Sequence, residues 1–531
     1  MPNRPINKKI PTLEEIRDDF DKFIKDKYGS HVHFDMSEAE TPANEGDDED
    51  TPSPEKKKLD LNFDLKPKEV KQYLDRYVIE QDEAKKALSI AVCDHYNHVR
   101  ECVEDPKRGD EDYSKQNVII LGPTGVGKTY MIRHIAKLIG VPFVKADATR
   151  FSETGYVGAN VEDLVRDLVT QADDDVELAQ YGIVYLDEAD KLATPPNIIG
   201  RDVSGRGVQI GLLKLMEETE VDLRAGHDVA SQMKAVMEFQ QKGTVEKQIL
   251  NTRHILFIIS GAFNGLADII KKRKNQSSLG FNAEVQGGQE DEDYLVHVTP
   301  QDFIEFGFEP EFIGRLPIHV TCQNLTVNSL YHILRHSAGS IIRQYEQAFR
   351  AYGIDVMFSD SALHKIAEQA QLHKTGARAL MTVCEKTLRD YKFELPSSGT
   401  SEFVVTEQVI EHTADELKRI IEDANYNRQI VMREHIRRYE EDFLNDHQTR
   451  IRFDDEATDH ICHIALEQGR KPKEICEEML QSYQHGLNLI KQNTGRDEFT
   501  FTKAVLADPD VVLERWIRDS YAVKSKEDEK S

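Results

Sequence analysis

The sequence predicts an α/β protein in which a parallel sheet with helices on both faces precedes a helical region. Three observations support this fold class. Between about residue 65 and residue 324, apolar strand-like runs alternate with helical patterns, which is typical of a parallel sheet. Beyond residue 325 the strand signals fade and helical patterns dominate. The helical region also contains two stretches that resemble each other, which indicates a degenerate repeat of one small domain.

The acidic composition excludes some partners. At 531 residues the chain is long enough for several domains, and its net charge is −27. Binding to nucleic acid depends on clustered Lys and Arg, so we expect neither nucleic acid nor an anionic membrane as the main partner. No apolar run approaches the roughly 20 residues that span a bilayer, and the first residues lack the apolar core of a signal peptide. A cytoplasmic location is therefore expected.

The six cysteines do not form a C-x-x-C pair. This argues against a zinc knuckle or a dithiol redox centre. Cys462, His463 and Cys476 offer three possible metal ligands, but ordinary buried thiols are the simpler interpretation.

The N-terminal residues predict a tethered accessory element. Residues 11–28 have helical spacing of apolar residues, whereas residues 35–58 are acidic and contain almost nothing apolar. We therefore predict a short helical element over residues 1–34 and an acidic flexible linker over residues 35–64. The alternative, a helix packed on the main body, stays open.

The large domain, residues 65–324, contains three strong strand signals. They are NVIIL before residue 122, GIVYLDEADK around residue 187 and HILFIISGAF at residues 254–263. Helical stretches such as VEDLVRDLVTQA separate them, as expected for parallel strands.

The helical region reads as a duplicated small domain. The stretch that begins at Tyr345 resembles the one that begins at Tyr439, and EFVVT at residues 402–406 resembles EFTFT at residues 498–502. Chance similarity of two acidic amphipathic segments is the alternative. The two predicted domains are residues 325–426 and residues 427–531.

Residues 122–129 match the phosphate-loop pattern G-x-x-x-x-G-K-[ST], after an apolar strand and before a helix. Backbone N–H groups of such a loop curl around phosphates, and the helix N-terminus adds positive potential. Lys128 is expected to reach the β- and γ-phosphates of ATP, and Thr129 to hold Mg²⁺. The predicted contacts are Gly122, Pro123, Thr124, Gly125, Val126, Gly127, Lys128 and Thr129.

Asp187 and Glu188 follow the apolar strand IVYL. A carboxylate in this place can bind the magnesium shell, and its neighbour can polarise the attacking water. We assign the metal role to Asp187 and the general-base role to Glu188. The presence of Glu188 predicts ATP hydrolysis and not merely binding.

With these motifs in order, residues 65 to 410 or so resemble the ClpX family of AAA+ protein unfoldases. YLDRYVIEQDEAKKALSIAV at residues 73–92 is similar to the segment that lines the family's adenine pocket. The resemblance implies base contacts from Tyr77, Val78 and Ile79. Glu80 stands where the family usually has glycine, which leaves the base contacts near it uncertain.

Two further segments resemble the family's pore loops. GYVG at residues 155–158 is similar to the loop that grips substrate polypeptide, with Tyr156 and Val157 as the implied contacts. An aromatic side chain between glycines can press against any polypeptide while the glycines let it swing. A buried tyrosine is the alternative. RDVSGRGV at residues 201–208 resembles the second pore loop.

Two arginines resemble catalytic arginines of the family. EFIGRLP at residues 311–317 places Arg315 where the family has an arginine finger, and GAR at residues 376–378 places Arg378 at the sensor-2 position. A guanidinium supplied by a neighbouring subunit would stabilise the transferring phosphoryl group. The resemblance therefore implies a homo-hexamer. A solvated surface arginine is the alternative for each.

Leu279, Gly280 and Phe281 lie in a polar stretch of the sequence. An exposed Leu and Phe there should be buried by something. In the ClpX family this place carries the tripeptide that docks on the ClpP peptidase ring, so the resemblance implies a ClpP-type partner. A loop that folds back on its own domain is the alternative.

Three departures from the family limit what can be carried over. The short helix and linker stand in place of the family's four-cysteine zinc domain, and residues 224–248 replace the family's basic loop near the pore. Recognition of adaptors and tagged C-termini is thus in doubt. In the predicted repeat, Lys471-Pro472-Lys473 falls on the GAR motif and no second phosphate loop precedes it, so we expect a docking or ring-stabilising module.

The sequence therefore favours an ATP-dependent protein unfoldase, a chaperone that passes unfolded or tagged protein substrates to a separate peptidase. A remodelling or disassembly chaperone without a peptidase is one alternative, and an ATP-gated scaffold is another. The sister family HslU is a weaker match, although SGAF at residues 260–263 leans towards it.

Overall fold

A five-stranded parallel sheet lies at the centre of the large domain. The computed structural model describes residues 63–105, 114–152, 159–194, 205–223, 248–277, 294–481 and 483–528. The strands of these ranges are β1 (Val118–Leu121), β2 (Phe143–Asp147), β3 (Ile183–Asp187), β4 (Glu220–Asp222), β5 (Ile249–Asn251), β6 (Leu256–Gly261), β7 (Ile318–Thr321), β8 (Asp355–Phe358), β9 (Glu402–Val405), β10 (Arg450–Phe453) and β11 (Glu498–Phe501). The central sheet has the order β2-β3-β6-β1-β7.

Strand β1 is buried along its whole length because both faces of the sheet are covered. Val118 and Ile120 point into one hydrophobic core, and Ile119 and Leu121 point into the other. β1 pairs in parallel with β6 on one side and with β7 on the other. Continuous apolar runs such as VIIL are typical of such doubly covered strands. The predicted α/β fold with a parallel sheet is confirmed.

The helices of the large domain cover both faces of this sheet. They are α1 (Pro67–Asp75), α2 (Asp82–Glu104), α3 (Lys128–Ile139), α4 (Asp163–Gln171), α5 (Val176–Ala179), α6 (Gly205–Met216), α7 (Leu266–Ser277), α8 (Pro300–Phe306) and α9 (Pro310–Gly314). β4 and β5 form a separate antiparallel pair. Thr299 and Asp302 form a capping box at the start of α8, where Pro300 suits the first helical position.

A small helical domain follows the sheet. Its helices are α10 (Val327–His336), α11 (Ile341–Arg350), α12 (Asp360–Leu372), α13 (Arg378–Ser398), α14 (Glu407–Glu411) and α15 (Thr413–Glu422). β8 and β9 pair in parallel, with Asp355 opposite Glu402 and Phe358 opposite Val405. The inner residues of both strands join the hydrophobic core that also covers one face of the central sheet.

From α11 onwards, the order of elements in the small domain recurs in the C-terminal part with one additional helix. This part consists of α16 (Ala424–His447), α17 (Asp455–Gln468), α18 (Pro472–Leu480), α19 (Tyr483–Thr494), α20 (Lys503–Ala507) and α21 (Pro509–Asp528), with the parallel pair β10 and β11 among them. The single long helix α13 corresponds here to the two helices α18 and α19.

Equivalent main-chain bonds recur in the two strand pairs. The N–H of Ser359 donates to the carbonyl of Val405, and the N–H of Asp454 donates to the carbonyl of Phe501. Ser359 and Asp454 also cap the helices that follow, α12 and α17. The duplication stays a prediction, and this correspondence supports it.

The N-terminal predictions lie outside the described residues except for Phe63 and Asp64, the last two residues of the predicted linker. Phe63 is buried in the core, and its carbonyl accepts a hydrogen bond of 2.6 Å from Arg100, so this end of the predicted linker packs on the large domain. The chain divides into two units, Met1–Lys58 and Leu59–Ser531, and every described residue belongs to the second. The helix predicted over residues 11–28 and residues 35–62 of the acidic linker therefore stay predictions. Within the described ranges, the helices lack the combined length and apolar content that a membrane span requires.

Candidate functional site

The predicted phosphate loop joins the end of β1 to the start of α3. Because parallel strands end at one edge of the sheet, this loop lies beside the ends of β6 and β3. The backbone at Gly125 has φ +82°, and a Cβ there would lie 2.1 Å from the carbonyl oxygen of Thr375. Only glycine fits both the conformation and the close approach.

Lys128 reaches back into the curve of the loop. Its Nζ donates to the carbonyl oxygens of Gly122, over 2.5 Å, and Pro123, over 2.8 Å. Burial lowers the pKa of Lys128, and the carboxylates of Asp187 and Asp190 oppose that effect. The ammonium group therefore lies at the centre of the loop, where phosphate oxygens would replace the carbonyl contacts.

Asp187 at the end of β3 meets the first turn of α3. The hydroxyl of Thr129 donates to Asp187 Oδ2 over 3.2 Å, the hydroxyl of Ser260 donates to Oδ1 over 2.8 Å, and Lys145 Nζ lies 3.2 Å from Oδ2. Burial alone would raise the pKa of Asp187. The hydrogen bonds from Ser260 and Lys145 outweigh it and hold that pKa below its usual range, so the carboxylate is ionised.

Sequence reasoning missed the polar side chains that support this carboxylate. The Tyr185 hydroxyl lies 3.1 Å from Thr129 Oγ1 and 2.5 Å from Ser260 Oγ. Tyr185 and Ser260 are fully buried, on strands that are otherwise apolar. A hydroxyl inside an apolar run was the available signal, since a buried polar group needs a partner.

Glu188 has a left-handed backbone, with φ 55° and ψ 32°. For a residue with a side chain this conformation is strained, and such strain is concentrated at functional sites. Its own N–H donates to Asp187 Oδ1 over 3.1 Å. The sharp turn ends the strand at Asp187 and aims Glu188 into the same cavity as the phosphate loop.

A cavity of about 490 Å³ runs from the phosphate loop to the small domain. Its polar end is lined by residues 124–129 together with Asp187 and Glu188. Its apolar end is lined by Tyr77, Val78, Ile79, Leu325, Ile333, Ile341 and Leu380. The volume and the split between a polar and an apolar end suit a nucleotide with its phosphates on the loop. The structure thus brings the residues predicted for the base together with six of the eight predicted for the phosphates, Thr124 to Thr129, around one cavity. Gly122 and Pro123 do not line it and instead accept the hydrogen bonds from Lys128.

Glu80 occupies a backbone conformation that glycine adopts without strain. Its φ is +56°, and that of the next residue, Gln81, is +61°. Glu80 accepts a hydrogen bond from the hydroxyl of Ser329, over 2.6 Å. Gln81 exchanges two side-chain hydrogen bonds with the backbone of Gln323. These bonds hold the strained turn that follows Ile79.

Arg378 is the first residue of α13 and lines the cavity from the small domain. Asn264, Lys191 and Ala262 line it too, although none of these three is predicted from the sequence to belong to the nucleotide site. The predicted sensor arginine therefore lies at the same cavity as the phosphate loop and the acidic strand end.

Arg315 lies at the other end of β1. Asn117, which precedes that strand, donates through Nδ2 to the carbonyl of Arg315 over 3.1 Å. The phosphate loop follows the strand's opposite end, and four strand residues span about 13 Å. The guanidinium is half-exposed and forms an ion pair of 2.7 Å with Glu217, directly after α6. Arg315 therefore faces away from the cavity of its own chain.

The remaining predicted contacts lie outside the described residues. They are Tyr156 and Val157 of the first pore loop, residues 201–204 of the second, and Leu279, Gly280 and Phe281 of the partner loop. Gly205 to Val208, the rest of the second pore motif, form the first turn of α6. Cys462 and Cys476 are both buried, and burial raises the pKa of each thiol.

A parallel sheet that carries a phosphate loop and an acidic strand end, with a helical domain over the cavity, defines an ATPase of the AAA+ class. Comparison with known proteins identifies the family within this class. A family model described as the AAA domain (Cdc48 subfamily) matches residues 113–319. One described as the C-terminal, D2-small domain of ClpB protein matches residues 325–410.

Two curated relatives are the ATP-dependent Clp protease ATP-binding subunits ClpX of Borrelia duttonii (strain Ly) and Borrelia recurrentis (strain A1). Each is 43% identical over 338 residues, which cover 62% of this chain and 75% of the relative. The chain belongs to the ClpX family of AAA+ ATPases. It binds nucleotide and is an ATPase, as the sequence predicted.

Proposed function

We propose that this chain is a ClpX-like unfoldase and translocase, which threads protein substrates through the pore of a homo-hexamer. The observation that carries the proposal is the cavity shared by two domains. Arg378 of the small domain and the phosphate loop of the large domain line the same cavity. Hydrolysis there changes the contacts of both domains at once, which is how ATP can move one against the other.

The cavity residues divide the work of hydrolysis. Thr129 and Asp187 would hold Mg²⁺, and their oxygens already converge at 3.2 Å. The ion would neutralise charge on the phosphates. Lys128 would bind the β- and γ-phosphates, and Glu188 would accept the proton of the attacking water. Because Ser260 and Lys145 keep Asp187 ionised while Glu188 follows at a strained turn and also lines the cavity, the two carboxylates can take different roles.

We assign Arg315 to the ATP of a neighbouring subunit. Its position at the far end of β1 prevents it from reaching the phosphates of its own chain. A guanidinium that is half-exposed at the surface suits action across a subunit contact. Such an arginine completes the site only in a closed ring, which supports the hexamer.

The pore and partner assignments extend the family resemblance. Tyr156 and Val157 would grip unfolded or tagged substrates, and Leu279 to Phe281 would dock on a ClpP-type peptidase. The relatives' own name, ATP-binding subunit of a Clp protease, supports this partner. α6 connects the second pore motif to Glu217 and hence to Arg315. We keep the proposed cytoplasmic location.

We propose that residues 427–531 form a docking or ring-stabilising module. Lys473, which falls on Arg378 in the repeat, forms an ion pair of 2.8 Å with Asp442 of α16. That lysine is therefore engaged in the fold of its own domain. We also propose the other domain boundaries that the sequence predicts, which lie at residues 34, 64, 324 and 426.

The proposal is tested by unfolding of a stable, degron-tagged fluorescent protein with the purified chain, ATP and Mg²⁺. We expect an ATP-dependent loss of fluorescence. If a hexameric sample that hydrolyses ATP shows no such loss, the ATP-gated scaffold is the one remaining function among those proposed. Replacing Leu279 and Phe281 by alanine should then abolish degradation with an added ClpP-type peptidase while unfolding continues. Degradation that survives this change would contradict the partner loop. If no peptidase binds the unaltered chain, the remodelling chaperone is the better description.

A further inference from the structure

We propose that His134 is a positioning residue for the base of ATP, because it fixes the ring of Tyr77 at the apolar end of the cavity. This proposal rests on the nucleotide site assigned above. Tyr77 lines the cavity, together with Val78, Ile79 and aliphatic side chains of the small domain. His134 lies on α3, the helix that begins at Lys128, and it stands behind Tyr77.

Three tyrosines contact the imidazole of His134. The ring of Tyr77 stacks on it with centroids 3.9 Å apart and an interplanar angle of 26°. Tyr130, one turn earlier on α3, meets it edge-on at 4.4 Å. Tyr73 of α1 lies 6.1 Å away and contacts Tyr77 at 5.1 Å. Offset and edge-on arrangements are the favourable ones for aromatic rings, so His134 is the centre of a four-ring cluster.

The backbone at Tyr77 is held independently by the small domain. The hydroxyl of Ser337 donates to the carbonyl of Tyr77 over 2.8 Å, and the N–H of Ala338 donates to the carbonyl of Arg76 over 2.8 Å. The main chain of this segment is thus fixed without help from His134. The imidazole additionally fixes the orientation of the Tyr77 ring. Because a ring that is already held in its binding orientation loses little freedom when the base binds, this favours affinity for the base.

The same cluster touches the turn between α10 and α11. A Cβ at Gly339 would lie 2.1 Å from the hydroxyl oxygen of Tyr130. Gly339 and Tyr130 both line the cavity. The cluster therefore connects the helix of the phosphate loop, the wall for the base and the small domain.

His134 acts as a flat neutral ring. Burial lowers its pKa, and the positive charges of Lys137 and Arg133 lower it further. Its Nδ1 is buried and finds no hydrogen-bond partner among the described residues. Among these residues Nδ1 therefore contributes no hydrogen bond, and the imidazole acts through its ring contacts with the tyrosines. Phenylalanine, whose ring can make the same contacts, should be able to replace it.

The test compares binding of ATP and of tripolyphosphate, which carries no base, to the full chain by calorimetry. In His134→Ala we expect ATP affinity to fall about threefold to tenfold, the value of one lost aromatic pair. Tripolyphosphate affinity should be unchanged, and kcat at saturating ATP should stay within about twofold of the unaltered protein, because the phosphate end is intact. His134→Phe should restore ATP affinity.

Lys137→Ala is the matched control, since it removes an exposed side chain from the same helix. Unchanged ATP affinity in His134→Ala overturns the proposal. An equal loss of affinity for tripolyphosphate also overturns it, because that would reveal a general role of His134 in folding α3. A His134→Phe variant that binds ATP as weakly as His134→Ala is the third contradicting result. If the unaltered chain binds neither ligand, the nucleotide site itself is wrongly assigned and this inference falls with it.

Discussion

The backbone N–H of Ala377 donates a hydrogen bond of 2.9 Å to the carbonyl oxygen of Gly125. Ala377 precedes Arg378 in the small domain, and Gly125 lies in the middle of the phosphate loop. A main-chain bond therefore joins the small domain to the loop that we propose binds the phosphates. Because no side chain intervenes, a shift of the loop is transmitted directly to the start of α13.

Gly376→Ala should uncouple these two domains. Gly376 has φ +57°, and a Cβ there would lie 2.8 Å from both the carbonyl carbon and the carbonyl oxygen of Gly125. Left-handed strain costs about 1 kcal/mol, and the clash is with backbone that cannot yield. We expect kcat/KM for ATP to fall about tenfold or more, measured by steady-state phosphate release.

Gly399→Ala supplies the control for that change. Gly399 also has a left-handed backbone, with φ +75°, but a Cβ there meets no atom within 4 Å. It therefore carries the strain without the clash. If the two variants lose the same activity, contact with the phosphate loop is not what Gly376 provides.

Glu188→Gln should separate ATP binding from hydrolysis. The amide keeps the size of the side chain at this strained turn but cannot accept a proton, so turnover should fall by about 10² to 10⁴. Binding of ATP should stay within about twofold, because Lys128 and Thr129 are unchanged. Equilibrium binding and single-turnover hydrolysis check the two parts. Undiminished hydrolysis in this variant would contradict the assignment of Glu188 as the general base.

Arg315→Ala should reduce turnover by about 10³ while leaving ATP affinity intact, since its guanidinium faces away from the cavity of its own chain. Mixing it with Glu188→Gln should restore part of the activity. At a mixed contact, the Arg315→Ala subunit still has its Glu188, and its neighbour still has its Arg315. Activity of the mixture that equals the average of the two inactive samples would contradict an arginine acting between subunits.

Much of the fold and site follows from short stretches of sequence, and the rest depends on contacts between distant ones. The phosphate loop and the acidic strand end could be predicted because glycines, Lys128 and Asp187 act within one strand-loop-helix unit. Tyr185 and Ser260 could not, because their role appears only when β3 and β6 lie side by side. The contact of Gly376 with Gly125 likewise depends on how two domains pack. For residues 1–62 the sequence remains the sole basis of prediction.

The stability of the C-terminal domain should fall as pH rises, because of Glu434 on α16. Burial raises its pKa from 4.5 to about 7, against the opposing charges of Arg437 and Arg438. The folded chain thus holds this proton more tightly than the unfolded chain. The contribution of this one group to the free energy of unfolding is fully present below about pH 4.5 and is lost as pH rises through about 7. Compared with the unaltered chain, Glu434→Gln should therefore be more stable at pH 8 than at pH 5, and this difference in the free energy of unfolding should amount to up to about 2 kcal/mol.

Trp516 makes this prediction measurable. It is the chain's single tryptophan and packs against the core of the C-terminal domain. Its fluorescence during urea unfolding therefore follows that domain and not the ATPase. Glu456→Gln, an exposed change at the start of α17, should show no such gain. A gain that is equal at both pH values would show that Glu434 is not the titrating group.

The outer faces of the two strand pairs differ in polarity between the small domain and its proposed copy. In the small domain, Met357 and Val404 are buried against Val431 of α16. Arg452 and Thr500 hold the corresponding positions on β10 and β11, and both are exposed. The first strand pair thus has an apolar outer face because α16 covers it. The second has a polar face, as expected of the last member of a repeat array.

Deletion of residues 427–531 should therefore leave a functional ATPase with an exposed apolar patch. The truncated chain is expected to self-associate through Met357 and Val404. Met357→Arg with Val404→Thr, which copies the residues of the second strand pair, should suppress this association and leave basal ATP hydrolysis within about twofold. Light scattering and phosphate release measure the two effects. Association unchanged by the double substitution would contradict the role of this face, and a folded hexamer without ATP hydrolysis would show that the C-terminal domain takes part in catalysis.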